Sequence, residues 1–341
     1  MGASQLFVVP DLEGRPTGGT LYNRRLLQAL AELGTSARAC EFEGSERILG
    51  GEAFGVVWLD SLYLAHAAKL RKRTGGGAKL GLLLHYLPAL VRLGPGVTAR
   101  ELGPDEREAL DAADCALVSS EFMAQVVRGL GFGARPVLCV EPGCELGPRG
   151  RLPRAADGVR ALVVAHVVSS KGIEPLLVAL AAELKPSDRL ELRIVGDTRA
   201  EPAYAARCQA LVAAESALSA RVAFCGSLPE ASAHDELCRS NLLLSASVME
   251  SYGMALSEGR RVGLPLLARD AGNASAHVEV AAGGELVASA EELATACVRL
   301  CRDPNEHARR LLAAQAHIRP ARAWRAAALE LNVALQGLLG S

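Results

Sequence analysis

Residues 242–270 read LLLSASVMESYGMALSEGRRVGLPLLARD. The apolar run Leu242-Leu243-Leu244 breaks at the small polar residues Ser245 and Ser247, as a buried strand does where it ends. Met249-Glu250-Ser251-Tyr252-Gly253 reads as a tight loop and residues 254–262 as a helix. Gly263-Leu264-Pro265 is its stop before a second apolar run, Leu266-Leu267-Ala268. Strand, loop, helix, strand is one unit of a parallel sheet, and it sets the fold class as α/β. Ligands gather where such strands end and helices begin, because unpaired N–H groups and the helix dipole favour an anion there. Glu250 stands in the loop at that mouth, and Glu258 lies eight residues further on, inside the helix. Two helical turns rise about 11 Å, so the two carboxyls cannot share one proton and are placed to hold two ends of one long ligand. Without such a ligand, Glu258 is a solvated helix residue and Glu250 a charge favoured at a helix N-terminus; both readings stay open here.

The rest of the chain supplies two copies of this architecture. Its 341 residues exceed one typical domain and suit two of about 150–170. Half of the residues are hydrophobic, enough for two cores, and a net charge of −1 excludes the basic excess of a nucleic-acid binder. The start, Met1-Gly2-Ala3-Ser4-Gln5, has no basic segment leading into an apolar one, and no apolar run reaches membrane-spanning length, so a cytoplasmic protein is expected. Nine scattered cysteines without a Cys-x-x-Cys pair read as buried, reduced thiols. No His or Cys pair stands near Cys297 and Cys301 to complete a metal site, and no metal is expected.

In order, Leu6-Phe7-Val8-Val9 is a buried strand, residues 11–19 a polar glycine-rich loop, and residues 20–33 a helix stopped at Gly34. Gly18-Gly19 lets backbone approach a phosphate closely, or serves as an ordinary strand-helix turn. Strands follow at Val56-Val57-Trp58-Leu59, residues 80–84, residues 115–118 and residues 137–140. His85 and Asp60 fall at strand ends; Asp60 could face an acceptor, and His85 could equally cap its strand for structural reasons. Residues 69–79, Lys-Leu-Arg-Lys-Arg-Thr-Gly-Gly-Gly-Ala-Lys, form a basic loop that would meet an anionic acceptor or lipid head groups, or simply be solvated. Residues 147–158 are rich in Gly, Pro and Arg, without an apolar period, and read as the linker. The pattern then restarts with a strand over 159–168, Ser169-Ser170-Lys171-Gly172, and a helix carrying Ile173, Leu176, Leu177 and Leu180. Further strands end at Gly196-Asp197 and at Gly226-Ser227-Leu228-Pro229, and the tail from Ser289 is helical. Domains are therefore expected at 1–148 and 149–318. A last helical segment, 319–341, carrying Trp324, Leu329, Leu331, Val333 and Leu338, would return to the first domain.

Two carboxylates with seven residues between them, followed by Gly-x-Pro before a strand, resemble the E-x7-E signature of glycosyltransferase family 4. The match is clear over residues 171–265 and covers the first domain only in outline. The resemblance implies a GT-B fold, in which two doubly wound, Rossmann-like parallel-sheet domains face a central cleft. It also implies a retaining, metal-independent transfer of sugar from a nucleotide-diphosphate sugar, with no cofactor and with the acceptor unidentified. By that resemblance Glu250 lies beside the donor sugar, Glu258 binds the ribose and Lys171 neutralises the diphosphate, to which the helix start at Gly253-Met254 adds positive potential on physical grounds. Gly18, Gly19 and His85 lie near the donor, Gly196 belongs to a Val-Gly-Asp turn, and Leu228 holds the nucleobase. Residues 271–275 take the place of a glycine-rich loop near the donor. One position departs from the pattern. Where the family carries an arginine on the diphosphate, this chain has His166, and an imidazole lacks the fixed fork of donors that a guanidinium offers. That departure keeps two other readings open: a catalytically silent binding or scaffold protein of the same fold, and a nucleotide-sugar epimerase or hydrolase.

Overall fold

The computed structural model describes residues 4–14, 17–147 and 157–340, so the expected linker at 147–158 lies almost wholly outside them. The chain divides into two compact units, one made of the residues up to Glu145 with those from Arg322 on, the other of Leu146–Ala321. The divisions expected from sequence, after 148 and 318, each lie three residues from these.

The first unit holds a parallel sheet of strands β1 (Gln5–Val8), β2 (Ala37–Cys40), β3 (Val56–Asp60), β4 (Lys79–Leu84), β5 (Cys115–Val118) and β6 (Val137–Cys139), in the order β2-β1-β3-β4-β5-β6. Burial is nearly complete along β1, β3, β4 and β5, as expected of strands covered by helices on both faces. Trp58 is fully buried and its indole N–H finds the Gln5 side chain at 3.1 Å. A Cβ on Gly81 of the neighbouring strand would lie 2.3 Å from the Trp58 ring, so the indole sets the glycine. Strand β2 has no apolar run to announce it; its Ala-Arg-Ala-Cys sequence sits half-exposed at the sheet edge.

The second unit holds β7 (Val159–Val164), β8 (Leu190–Val195), β9 (Val222–Gly226), β10 (Leu242–Ser245), β11 (Leu266–Arg269) and β12 (Glu285–Val287), in the order β12-β11-β10-β7-β8-β9. Strand β7 is shorter than the run at 159–168 suggested, because the chain leaves the sheet after Val164. Counted within the unit, this is the strand order of a dinucleotide-binding fold, with its switch point between β7 and β10.

The last helix, Trp324–Leu339, packs in the first unit against the helix Gly18–Glu32. Its buried face runs through Trp324, Ala327, Ala328, Leu331, Leu335 and Leu338. Leu329 and Val333, which the segment also carries, are 46% and 68% exposed, lying off the 3.6-residue stripe the other positions form.

Candidate functional site

At the switch point of the second unit, the connections that follow β7 and β10 are tied together. The Ser170 carbonyl accepts the Val248 N–H at 2.9 Å. Gly172 has φ +62°, and a Cβ there would lie 2.2 Å from the Ala246 carbonyl oxygen, so only glycine lets the loop after β7 lie on the end of β10. The turn Ser169–Lys171 thereby carries its lysine to the loop after β10, where Lys171 Nζ meets Glu250 Oε1 at 3.1 Å. Both side chains are largely covered, 28% and 16% exposed. Seventy-nine residues of sequence separate them.

Glu250 itself is fixed by backbone. It donates its N–H to Ala271 and accepts from Asn273, forming a parallel bridge with Gly272. Gly272 has φ +60°, and a Cβ there would lie 2.3 Å from the Glu250 carbonyl oxygen. Four residues on begins the helix Met254–Arg261, with Gly253 as its N-cap at φ +94° and no side chain capping it. The N–H groups of Gly253, Met254, Ala255 and Leu256 have no hydrogen-bond acceptor among the described residues. An uncapped helix start beside a lysine is a ready anion site.

Glu258 lies in the same helix, densely surrounded by protein but retaining some accessible surface. Its carboxyl has no hydrogen-bond or ion-pair partner among the described residues. Burial first, and then the charge of Glu230, push its carboxyl up to about 7. Glu230 opens the helix that follows Leu228 and Pro229, so the carboxyl faces the segment after β9. Leu228 is half-buried there against a cluster containing Leu162, Leu243 and Leu256. An unsatisfied carboxyl in such a place has capacity for two hydroxyl donors.

His166 follows β7 and accepts the Asp197 N–H on Nδ1 at 3.1 Å. Next to it, a Cβ on Gly196 would sit 2.0 Å from the Ala165 carbonyl oxygen; the ends of β7 and β8 approach too closely for any side chain. Asp197 in turn accepts from the backbone N–H and guanidinium of Arg199, a largely exposed side chain.

In the first unit, Gly18 and Gly19 are not loop residues as the sequence suggested. The helix starts at Gly18, because Thr17 and Thr20 form a reciprocal capping box. A Cβ on Gly19 would lie 2.9 Å from the His85 ring. His85 Nε2 pairs with Asn23 Oδ1 at 2.8 Å and lies 3.4 Å from Asp60 Oδ2, which accepts from Asn23 Nδ2 at 2.8 Å. Asp60 is 2% exposed. Burial alone would raise its carboxyl, but hydrogen bonds from His85, the Leu62 N–H and Asn23, with the histidine's charge, hold it below its ordinary value. Asp60, expected at the acceptor side, thus has its carboxylate engaged by Asn23, His85 and the Leu62 N–H. Asn23 was missed from sequence, although an asparagine on an apolar helix face was the available signal.

The basic run at 69–79 is partly consumed. Arg71 makes a bidentate pair with Asp114, and Arg73 reaches Glu46, Ser45 and the Phe42 ring. Lys69, Lys72 and Lys79 remain exposed. Among the described residues no helix is long and apolar enough to cross a membrane, and no cluster of three or more His, Cys, Asp or Glu is gathered as metal ligands would be.

Several known structures share this architecture. Sucrose-phosphate synthase from Thermosynechococcus elongatus superposes with a TM-score of 0.79 at 20% identity, covering 98% of both chains. HepE from Anabaena, in complex with UDP and glucose, gives 0.76 at 16% identity, over 98% of this chain and 100% of that one. The fold is GT-B. The catalytic domain of starch synthase IV from Arabidopsis thaliana, bound to ADP and acarbose, gives 0.72 at 12% identity over the whole of both chains. Residues 158–303 match a family model described as "Glycosyl transferases group 1". The match begins at β7 and so includes every element of the second unit that carries Lys171, Glu250 and Glu258. No curated protein sequence is significantly similar to the chain.

Proposed function

We propose that the protein is a retaining, metal-independent glycosyltransferase that moves a sugar from a nucleotide-diphosphate sugar to an acceptor. The observation that carries this reading is the Lys171–Glu250 pair at 3.1 Å, beside a helix start whose N–H groups have no acceptor among the described residues. Breaking the bond between the anomeric carbon and the diphosphate loads charge on the leaving phosphate. Fixed positive potential aimed at it is then the main catalytic device. The N–H groups of the Gly253-Met254 turn, and Lys171 once it exchanges Glu250 for the phosphate, supply such potential. Glu250, released from Lys171 by the arriving phosphate, orients the sugar hydroxyls and offsets positive charge at the anomeric carbon. Glu258 takes the ribose hydroxyls and Leu228 packs on the base. In a retaining transfer of this type the departing phosphate oxygen accepts the acceptor's proton, so no separate base is assigned. His85 is a further candidate for sugar contact, held by Asn23 and Asp60.

Lys171→Ala and Glu250→Ala should each abolish sugar transfer while leaving the circular dichroism spectrum and melting temperature near those of the parent. Unchanged transfer in either variant refutes the assignment. One observation favours a second reading, a silent binding protein: His166, in the place of the family's arginine, spends Nδ1 on a backbone N–H. A silent protein would bind neither uridine, guanosine nor adenosine diphosphate in calorimetry. Donor turnover without any acceptor would point instead to an epimerase or hydrolase.

A further inference from the structure

Beside the Glu250 loop lies a set of polar side chains that the proposed chemistry does not use. His277 is 1% exposed, and its Nε2 lies 2.7 Å from the Tyr252 carbonyl oxygen. Asn273 Nδ2 donates to the same oxygen at 2.7 Å. The histidine's other nitrogen, Nδ1, lies 3.3 Å from Arg319 Nη1. A guanidinium has only donors, so Nδ1 must accept, and the ring proton must sit on Nε2, from which it is donated to Tyr252. Burial, first among its causes, lowers the imidazole to about 4, so the ring stays neutral and keeps this arrangement at ordinary pH. Arg319 is held in turn by the Ala276 carbonyl and by Glu279 at 3.0 Å, and Glu279 also lies 3.5 Å from the buried Arg260. The tyrosine ring stands edge-on to His277 at 4.9 Å, and a Cβ on Gly253 would lie 3.1 Å from the imidazole.

The consequence follows from peptide geometry. In a trans peptide the C=O and the following N–H point in opposite directions, and this chain has no cis bonds among the described residues. Two donors on the Tyr252 carbonyl therefore turn the Gly253 N–H the other way, away from His277 and Asn273, at the uncapped start of the helix Met254–Arg261. Gly253 could otherwise rotate freely, since glycine places little restriction on its backbone.

We propose that His277 and Arg319 are positioning residues for the anion site: Arg319 fixes the tautomer of His277, and His277 with Asn273 fixes the peptide plane that aims the Gly253 N–H at the donor diphosphate. The last step rests on the functional reading above; the tie between Arg319, His277 and the loop does not.

The test uses the full chain with three variants, His277→Leu, His277→Gln and Arg319→Ala. Glutamine can both donate to Tyr252 and accept from Arg319, whereas leucine can do neither. Arg319 is about one-third exposed, so its removal leaves the fold in place even where His277→Leu is poorly stable. Amide hydrogen exchange over residues 250–257 should rise about tenfold in His277→Leu, rise less in Arg319→Ala, and return close to the parent in His277→Gln. Affinity for the nucleoside diphosphate that the parent binds best, among those of uridine, guanosine and adenosine, should fall about tenfold in His277→Leu and recover in His277→Gln. Parent-like exchange in both His277→Leu and Arg319→Ala overturns the proposal, as does failure of glutamine to rescue. If the parent binds none of the three nucleotides while exchange behaves as expected, the tie stands and the functional reading falls.

Discussion

Replacing Glu258 by glutamine separates what the fold prefers from what a ligand would need. The carboxyl is crowded by protein, lacks a partner and feels Glu230, which together raise it from the ordinary 4.5 to about 7. Because the folded value lies above the unfolded one, the protonated form is the one the fold tolerates. Stability is undiminished below about pH 4.5, falls as the unfolded chain ionises first, and levels out above pH 7. At 1.36 kcal/mol per pH unit, the gap amounts to about 3 kcal/mol at pH 8 and almost nothing at pH 4. Glutamine has the same shape and no charge to desolvate. Glu258→Gln should therefore gain about 3 kcal/mol in urea unfolding at pH 8 and nearly none at pH 4, a trade of stability against function. The same variant should bind nucleoside diphosphate about tenfold more weakly, since an amide accepts through one oxygen only. Equal gains at both pH values would mean that packing, not charge, governs the site. A loss of stability at pH 8 would refute the reasoning outright.

Other consequences are open to measurement. Gly172→Ala meets the Ala246 carbonyl as well as an unfavourable φ, and should cost several kcal/mol in denaturant unfolding and suppress nucleotide binding. Gly226→Ala, at φ +67° with open space around it, should cost only about 1–2 kcal/mol and leave binding intact. His277 titrates near 4 when folded against 6.5 when unfolded, so stability should fall as pH drops from about 6.5 to 4, by up to about 3 kcal/mol, and His277→Gln should flatten that slope in acid unfolding. Asn23→Ala removes the acceptor of His85 and leaves a buried carboxylate short of a donor, so it should cost about 1–3 kcal/mol and reduce turnover in parallel with His85→Ala.

The parts legible from sequence were those with a local signal. Apolar runs gave β5 to the residue and the ends of β8 and β9, and the strand-loop-helix-strand pattern around Glu250 placed the helix start at Met254. Strands β2 and β12 escaped because each lies at a sheet edge, where half-exposure removes the need for an apolar run. The start of the first helix was misplaced by two residues because Gly18 and Gly19 look like loop, while the Thr17–Thr20 capping box that fixes the helix start is a weaker mark. Partnerships were not legible at all. Lys171 and Glu250 each stood out alone, but nothing local says they touch across 79 residues. His277 and Arg319, 42 residues apart, carried no motif; their importance comes from one carbonyl and one tautomer. Likewise the strand-end position of Asp60 was legible, but its ties to Asn23 and His85 were not.

On the proposed reading, the strand ends of the second unit hold a nucleoside diphosphate through Lys171 and the helix start at Gly253-Met254. Calorimetric titration of the full chain at pH 8 with uridine, guanosine and adenosine diphosphates tests it most directly. One of the three should bind with one-to-one stoichiometry, and Lys171→Ala should weaken that binding at least tenfold. Binding of none of them, or equal binding by the parent and Lys171→Ala, would contradict the account.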